Sequence, residues 1–550
     1  MKQEKNSLIA AALSMLVLVG WFYFFAPKPE PNAPQTEGAA PAAVAALTTA
    51  TETASAPALP PSSSSVPAGP ERLIEKETPL LSMVWTNRGG RLSKIQLKNY
   101  HEDVKKESPP INLLALQGEK SASLLCKDCN LPLPDDVRYE SVPMQGQGIA
   151  FQAEEGGLVV RKVYDWSPDQ YLFNLTVTVE NKSDREFQGR LGLGWTAGQI
   201  PEKPKGPLGF LKGPDDRKGF LYLLGKGVER FTEAEKSLEL SGPITWAGIE
   251  DRYFLVALIS RRLSSDDSLK LEQPRLEQVG DRLALSLFPA AVTIPSQGRH
   301  EEKYSFYVGP KKRNSLKLAG VGLEDAIDYG WFWFLAIPIL ELLRIFHTGV
   351  GNWGLAVILL TLFAKLLLNP LTVRSMKQMK GMQALQPMLA ALKEKYKDDK
   401  QRLNTETMAL FRTHKVNPMG GCLPVILQMP IYIALYKVLY SAIELYHAPF
   451  IGFYRDLSAP DPYFILPVLL GVAMVAQQKL TPSASADPVQ KQMMMFMPIM
   501  FTAFMLFLPM GLVLYIFVNT LFSVIQQWMY QGGLKWRDVL RGNFKAQAGA

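Results

Sequence analysis

The sequence predicts an α-helical membrane protein with six transmembrane helices joined to a large all-β periplasmic sandwich. Three observations carry that reading. Apolar residues gather into one N-terminal run and five C-terminal runs, the region between them alternates with the two-residue period of strands, and basic residues concentrate in only some of the connections between apolar runs. Chain-wide averages hide this segregation: 550 residues with 47% hydrophobic, 20% charged, a net charge of +8 and a mean hydropathy of +0.01 would equally suit a mildly basic soluble protein. The length allows several domains with ample core, and the apolar content excludes wholesale disorder and collagen. Three cysteines cannot build a disulfide framework.

Residues 8–25 form an apolar run of 18 residues behind Lys2 and Lys5, long enough for a signal peptide or a spanning helix. A cleavable signal needs small residues at the minus-three and minus-one positions. The best cut, after Ala26, places Phe24 at minus three and Pro27 at plus one, so residues 1–25 read as an uncleaved signal anchor with a cytoplasmic N-terminus. Residues 26–70 mix ten prolines with Ala, Ser and Thr and lack the apolar surface to fold. Such a tether, partly polyproline-like, reaches on the order of 100 Å.

Residues 71–320 read as one periplasmic β-sandwich, with β-branched and aromatic residues alternating as at 171–180 and Arg88-Gly89-Gly90 closing a hairpin. Cys126-Lys127-Asp128-Cys129 suits a small disulfide loop if this region is extracytoplasmic. A redox role lacks a surrounding βαβ pattern, and a zinc site lacks two further cysteines.

Residues 321–347, rich in aromatics with a proline and the Glu341 and Arg344 charges, read as an interfacial amphipathic helix. Five apolar runs follow at 350–368, 423–445, 463–476, 493–508 and 511–528, within a core of residues 348–531. The loop 371–420 carries ten Lys and Arg against four Asp and Glu, whereas 446–462 has only Arg455 against Asp456 and Asp461. The connection 479–491 and the tail 532–550 are also basic, so every basic connection falls on one side if 331–346 does not cross. That side is the cytoplasm, with both termini on it and residues 26–330 in the periplasm. The runs 463–476 and 493–508 fall short of the roughly 20 residues a bilayer demands, so thinning or a wet cavity is expected around them.

Lys365 sits inside the second span, and an intramembrane cation marks a functional site unless it snorkels to the headgroups. Thr361 shares its face one turn away, Gln428 lies between Pro424 and Pro430, and Tyr515 and Asn519 form another i, i+4 pair. These polar faces can line one groove, or each can simply bond helix to helix. Seven methionines between Met493 and Met510 offer adaptable apolar surface or ordinary packing. In the loop, Met376, Met379 and Met382 follow helical spacing, and a charged turn with Lys393, Lys395 and Lys397 precedes a second helix, giving a basic helical hairpin over 371–420. That charge is either a solvated face or a docking surface for an acidic partner such as ribosomal RNA. The run from Gly219 to Lys226 lacks the spacing and the Ser or Thr of a P-loop. Neither H-E-x-x-H nor G-x-S-x-G occurs, so the sequence offers no machinery for using ATP or cutting bonds.

Gly351-Asn352-Trp353-Gly354, Asn369-Pro370-Leu371-Thr372, Lys415 through Pro424, Gln428-Met429-Pro430, Asp456 through Ala459 with Asp461-Pro462, and Pro509 through Tyr515 resemble in order and spacing the membrane core of the YidC/Oxa/Alb insertase family. The anchor, the tether and Thr86-Asn87-Arg88-Gly89-Gly90 resemble its Gram-negative form. The resemblance implies a cofactor-free, non-enzymatic insertase and chaperone of the cell inner membrane, receiving nascent membrane proteins from the ribosome alone or beside the Sec translocon. It implies a groove lined by Lys365, Thr361, Gln428, Tyr515 and Asn519, open to cytoplasm and lipid. It also implies an apolar slide along the third and fifth spans, at Met429, Pro430, Met500 and Phe504. The family usually places Arg where this chain has Lys365, which keeps the charge but not the planar fork. A small-molecule transporter, the rival reading, would show inverted repeats that this sequence lacks.

Overall fold

The computed structural model describes residues 70–105, 107–114, 121–144, 146–198, 218–225, 227–231, 238–240, 244–260, 274–279, 282–397, 399–416, 423–480 and 488–531. The expected anchor, the tether and the basic tail lie outside the described residues.

Every strand pairing among them is antiparallel. The largest sheet has nine strands, in spatial order Gly227–Phe231, Gly219–Leu224, Ile244–Glu250, Phe254–Ser260, Arg299–Pro310, Leu172–Asn181, Leu158–Trp166, Gly148–Glu155 and Glu140–Val142. A six-stranded sheet centres on Phe187–Gly198, which pairs with Arg282–Leu287, Val292–Ile294 and Ser123–Lys127. A third sheet of four strands starts at Leu73–Glu77 and runs through Leu81–Thr86 and Arg91–His101 to Pro110–Asn112.

The alternation that marked the strands also selects what they bury. Along Leu172–Asn181, Phe173, Leu175, Val177 and Val179 face inward while Asn174 and Glu180 are exposed. The fully buried Trp195 bridges the six- and nine-stranded sheets, its ring 5.3 Å from that of Phe306. Trp85 does the same for the four-stranded sheet, 5.7 Å from Tyr164 and 5.4 Å from Trp166. The expected sandwich is therefore present, with aromatic rings as its mortar. Cys126 and Cys129 are joined as a disulfide beside Phe187–Gly198.

The Arg88-Gly89-Gly90 turn forms as expected, with φ of +72° at Gly89 and +54° at Gly90. Two side chains from Leu158–Trp166 bolt it from below: Lys162 Nζ donates to the Gly89 carbonyl at 2.6 Å and Tyr164 Oη to the Gly90 carbonyl at 2.8 Å. A Cβ at Gly89 would lie 2.4 Å from the Asp135 carbonyl oxygen. We therefore expect Gly89→Ala to destabilise the β domain by about 2 kcal/mol, read as a lower urea midpoint of its tryptophan fluorescence transition.

The chain leaves the sandwich through the short helix α1 (Arg313–Lys317) and then forms α2 (Trp333–Val350), α3 (Trp353–Ala384), α4 (Gln386–Lys395), α5 (Lys400–Thr413), α6 (Leu423–Ser441), α7 (Ile465–Leu480), α8 (Pro488–Met505) and α9 (Met510–Gln531). Among the described residues, α2, α3 and α9 are long and apolar enough to cross a membrane; α7 and the 495–505 portion of α8 are shorter. Six spans are thus not established by helix length. By length and composition α2 qualifies where the sequence reading lays this segment on the interface. A second difference concerns α3. The sequence places a boundary at 368–371, yet one helix of 32 residues runs through Pro370, so the second span and the first arm of the hairpin are continuous. Proline removes one backbone donor and crowds the preceding turn, but packing along the span and beyond it holds the remaining hydrogen bonds. The third run is also helical only to Ser441, with a 3₁₀ turn at Ile443–Leu445.

The recurring motifs turn out to be joints. Asn352 caps α3, accepting from the Leu355 N–H at 3.0 Å, and its amide donates to the Phe450 carbonyl at 2.8 Å. Gly351 ends α2 with φ of +68°, and a Cβ on Gly354 would strike the Phe450 ring. Asp461, 1% exposed, receives the Leu466 N–H at 2.7 Å and the Tyr463 N–H at 2.9 Å, so it fixes the start of α7.

Arg252 and Tyr446 are among the residues that dock the sandwich on the helices. Arg252 Nε donates to the Tyr440 carbonyl at 2.7 Å, and its guanidinium lies 3.9 Å from the Tyr440 ring centre and 4.7 Å from that of Tyr253. Tyr446 Oη donates to the His101 carbonyl at 2.8 Å nearby. Arg252→Ala should accelerate amide hydrogen exchange over residues 440–446 by roughly tenfold, the equivalent of about 1.4 kcal/mol, while leaving exchange in the sheets unchanged.

Candidate functional site

α9 is the hub of the helical region: α3 and α7 pack along it, and over half of its apolar stretch is buried in protein. Its polar residues repeat every four positions, so Tyr515, Asn519 and Ser523 share a face. Tyr515 is 2% and Asn519 5% exposed.

That face carries a continuous chain of hydrogen bonds. Gln428 on α6 donates from Nε2 to Asn519 Oδ1 at 3.0 Å, and Asn519 Nδ2 donates to the hydroxyl of Tyr432, also on α6. The Tyr432 and Tyr515 rings meet edge to face at 5.8 Å. On the other side, Lys365 Nζ donates to Ser523 Oγ at 2.7 Å, and Ser523 donates onward to the Asn519 carbonyl at 2.8 Å. One turn along, Gln526 Nε2 donates to Asn369 Oδ1 at 2.6 Å. Three helices are thus tied by side chains whose neighbours are apolar, where an unmet polar group is costly.

Lys365 is 8% exposed, and among the described residues no carboxylate lies within 4 Å of its ammonium. Its bond to Ser523 directs the charge into the bundle, whereas a snorkelling lysine would reach outward to headgroups. The other lysine within a predicted span, Lys437, behaves differently: it pairs with Asp328 at 2.5 Å. Placing a lysine at the centre of a spanning helix costs about 2.5–3.5 kcal/mol on insertion scales, so an uncompensated one marks a site.

Four of the five expected groove residues meet in this cluster. Thr361 does not join it, because its hydroxyl donates to the Val357 carbonyl of its own helix at 2.7 Å. Ser523, Tyr432 and Gln526 are not among the residues the sequence marks, and Asn369 enters there only as part of the Asn369-Pro370-Leu371-Thr372 motif. Ser523 was legible as the third member of the Tyr515 and Asn519 series; Tyr432 lies one turn from Gln428 in the same way.

The expected slide residues do not form one contact. Met429 and Pro430 are half-buried on α6, which packs on α2, whereas Met500 and Phe504 are 70% and 43% exposed on α8, which packs on α7. Met495, Phe496, Met497 and Ile499 extend that bare apolar surface along α8; the side chains of Met493 and Met494 lie outside the described residues. In the hairpin, Met376, Met379 and Met382 are half-buried on the extension of α3, and Lys393, Lys395 and Lys397 are exposed at the tip. Val416 returns the chain against Gly381, where an added Cβ would stand 3.2 Å from it.

Known proteins resemble the chain along nearly its whole length. A family model described as 60Kd inner membrane protein matches residues 345–536, and one described as YidC periplasmic domain matches residues 73–342. The chain is 36% identical over 551 residues to the membrane protein insertase YidC of Syntrophus aciditrophicus, covering 96% of this chain and 99% of that protein. It is 36% identical over 563 residues to the membrane protein insertase YidC of Pelobacter propionicus, covering 95% and 98%. Among solved structures, an active YidC insertase with its first transmembrane domain resolved overlaps 84% of this chain and 93% of its own at 18% identity, with a TM-score of 0.36. A galactose mutarotase related enzyme from Lactobacillus acidophilus overlaps 43% and 97% at 10% identity, with a TM-score of 0.31. At those scores neither superposition bears on function. The sequence identity spans the sandwich and the helical core alike, and the chain belongs to the YidC family of membrane protein insertases.

Proposed function

We propose that this protein inserts nascent membrane proteins into the inner membrane through the polar cluster around Lys365. The observation that carries the reading is a buried ammonium held inward by Ser523 with, among the described residues, no carboxylate within 4 Å of it. An unneutralised cation draws an acidic or polar segment of a substrate part-way into the bilayer and lowers the free energy of its crossing. Tyr515, Asn519 and Gln428 supply hydrogen bonds that replace water along that path. The apolar surface of α8, with Met500 and Phe504, offers the emerging substrate helix a route to lipid opposite Met429 and Pro430 on α6. The short α7, at 16 residues, favours a bilayer thinned at the site.

In this reading the chain crosses the membrane six times, with both termini cytoplasmic and residues 26–330 periplasmic. α2 lies at the interface with its Arg344 held by Glu444 and Glu341. The exposed lysines of the hairpin dock the ribosome, and the same helices work alone or beside the Sec translocon. No step uses a nucleotide or a cofactor.

The test is reconstitution of the purified protein in liposomes with a small single-span substrate, reading protease protection of its translocated tail. Protection that depends on the protein supports insertion. Uptake of a small solute without tail protection would support a transporter instead.

A further inference from the structure

Ser523 receives the Lys365 ammonium with a hydroxyl whose direction is already fixed. A serine hydroxyl has one proton to give and two lone pairs to offer. On α9 the proton goes to the Asn519 carbonyl at 2.8 Å, one turn back along the same helix, so Lys365 Nζ at 2.7 Å meets lone pair alone. Among the described residues no other acceptor takes a hydrogen bond from that ammonium. Thr361, one turn away on α3, directs its own proton at the Val357 carbonyl and is not bonded to the lysine. An ammonium carries three N–H bonds, so two remain once Ser523 is served.

Without that acceptor the side chain has another place to go. Lys365 stands three residues before the end of its apolar run at Leu368, about 4.5 Å along the helix axis, which a stem of four methylenes spans. The flank of α3 beside it is bare, with Leu366 and Leu367 at 65% and 69% exposed. An ammonium released from Ser523 therefore moves out along that flank toward headgroups and water, away from the polar face of α9.

We infer, resting on the function proposed above, that Ser523 is a positioning residue that sets the preference for acidic over neutral translocated tails. It aims the Lys365 ammonium into the bundle and leaves two N–H groups for a substrate carboxylate. A carboxylate at this position would cancel the charge, and an amide could turn its NH₂ toward it. A hydroxyl with its proton committed elsewhere does neither.

The experiment uses the full chain reconstituted in liposomes and paired substrates that differ only in Asp or Asn within the tail, read by protease protection. Ser523→Ala should slow the acidic tail about fivefold and the neutral tail less than about twofold, and Ser523→Thr, which keeps the hydroxyl, should restore the acidic rate to within about twofold. In a Lys365→Met background Ser523→Ala should add no further loss, because the serine acts through the lysine. Gln526→Ala breaks the neighbouring bond to Asn369 without touching the ammonium, so its effect should fall on both tails alike. A second readout needs no substrate: a membrane-impermeant, amine-reactive ester followed by peptide mapping should acylate Lys365 several-fold faster in Ser523→Ala than in the unaltered protein. Equal slowing of both tails by Ser523→Ala, an additive loss with Lys365→Met, no rescue by threonine, unchanged acylation of Lys365, or the same loss of preference in Gln526→Ala would overturn the inference. Preference lost in Lys365→Met but kept in Ser523→Ala sinks the inference alone. If Lys365→Met slows both tails alike, the proposed function fails and the inference fails with it.

Discussion

Replacing Lys365 by Met slows insertion of a substrate with an acidic translocated tail by about tenfold or more, the equivalent of at least about 1.4 kcal/mol, while a neutral tail is slowed less than threefold. Methionine keeps the length and apolar stem of the side chain, and the Ser523 hydroxyl still donates to the Asn519 carbonyl, so the helices retain their packing. What is lost is the charge. Lys365→Arg should restore most of the rate, because a guanidinium also donates to Ser523 and stays charged. The measurement is the protease-protection assay with paired substrates that differ only in Asp or Asn within the tail. If both tails were slowed alike, the attraction between Lys365 and substrate would not be the operative step, and the lysine would be a packing residue.

The second large effect lies in the sandwich. Lys162 is wholly buried beneath the Gly89 carbonyl, and desolvation pushes its ammonium down from 10.5 to about 7, with Asp135 opposing the shift. In the unfolded chain the same lysine keeps its proton until near its ordinary value. Between about pH 7 and 10.5 the unfolded state therefore binds one more proton than the folded state. Stability attributable to Lys162 rises with pH across that window, by up to about 1.4 kcal/mol per unit, and is least below it. The β-domain transition of the intact protein should accordingly move to higher urea from pH 7.5 to 9.5. Lys162→Met should flatten that slope while leaving the Gly89 carbonyl without its donor. An equal slope in both proteins would assign the dependence to other groups. Burial of a lysine at the base of a turn is what makes this portion of the domain alkaline-stabilised, opposite to the behaviour of a salt-bridged carboxylate.

Much of this architecture could be read before folding, and the failures have physical causes. Alternation at 171–180 identified a strand and its buried face, and the glycine pair at 89–90 identified a turn, because both rest on local sterics. Lys365 stood out because charge is rare in apolar helices. The order of the nine-stranded sheet was not legible: Arg299–Pro310 lies between Phe254–Ser260 and Leu172–Asn181, a pairing across more than a hundred residues that local pattern does not encode. α3 ran past Pro370 because the rule that proline ends a helix is a statement about one donor and one clash, and tertiary packing outweighs both. Lys162 follows the inward phase set by Val160 and Tyr164, but a lysine in a strand ordinarily signals the solvent face. Thr361 shared a face with Lys365 by spacing, yet a threonine in an apolar helix satisfies itself on the preceding turn.

The unbroken α3 has a mechanical meaning. From Lys365 to Ala384 the helix is a rod of about 28 Å, carrying the intramembrane ammonium near one end and the methionines of the hairpin along the other. A rod transmits torque. Any load that turns the hairpin about the axis of α3 arrives at Lys365 as rotation without crossing a loop, and the one softer point on the way is Pro370, where a backbone bond is missing. Seating a large body on the hairpin thus provides a lever on the orientation of a single buried charge.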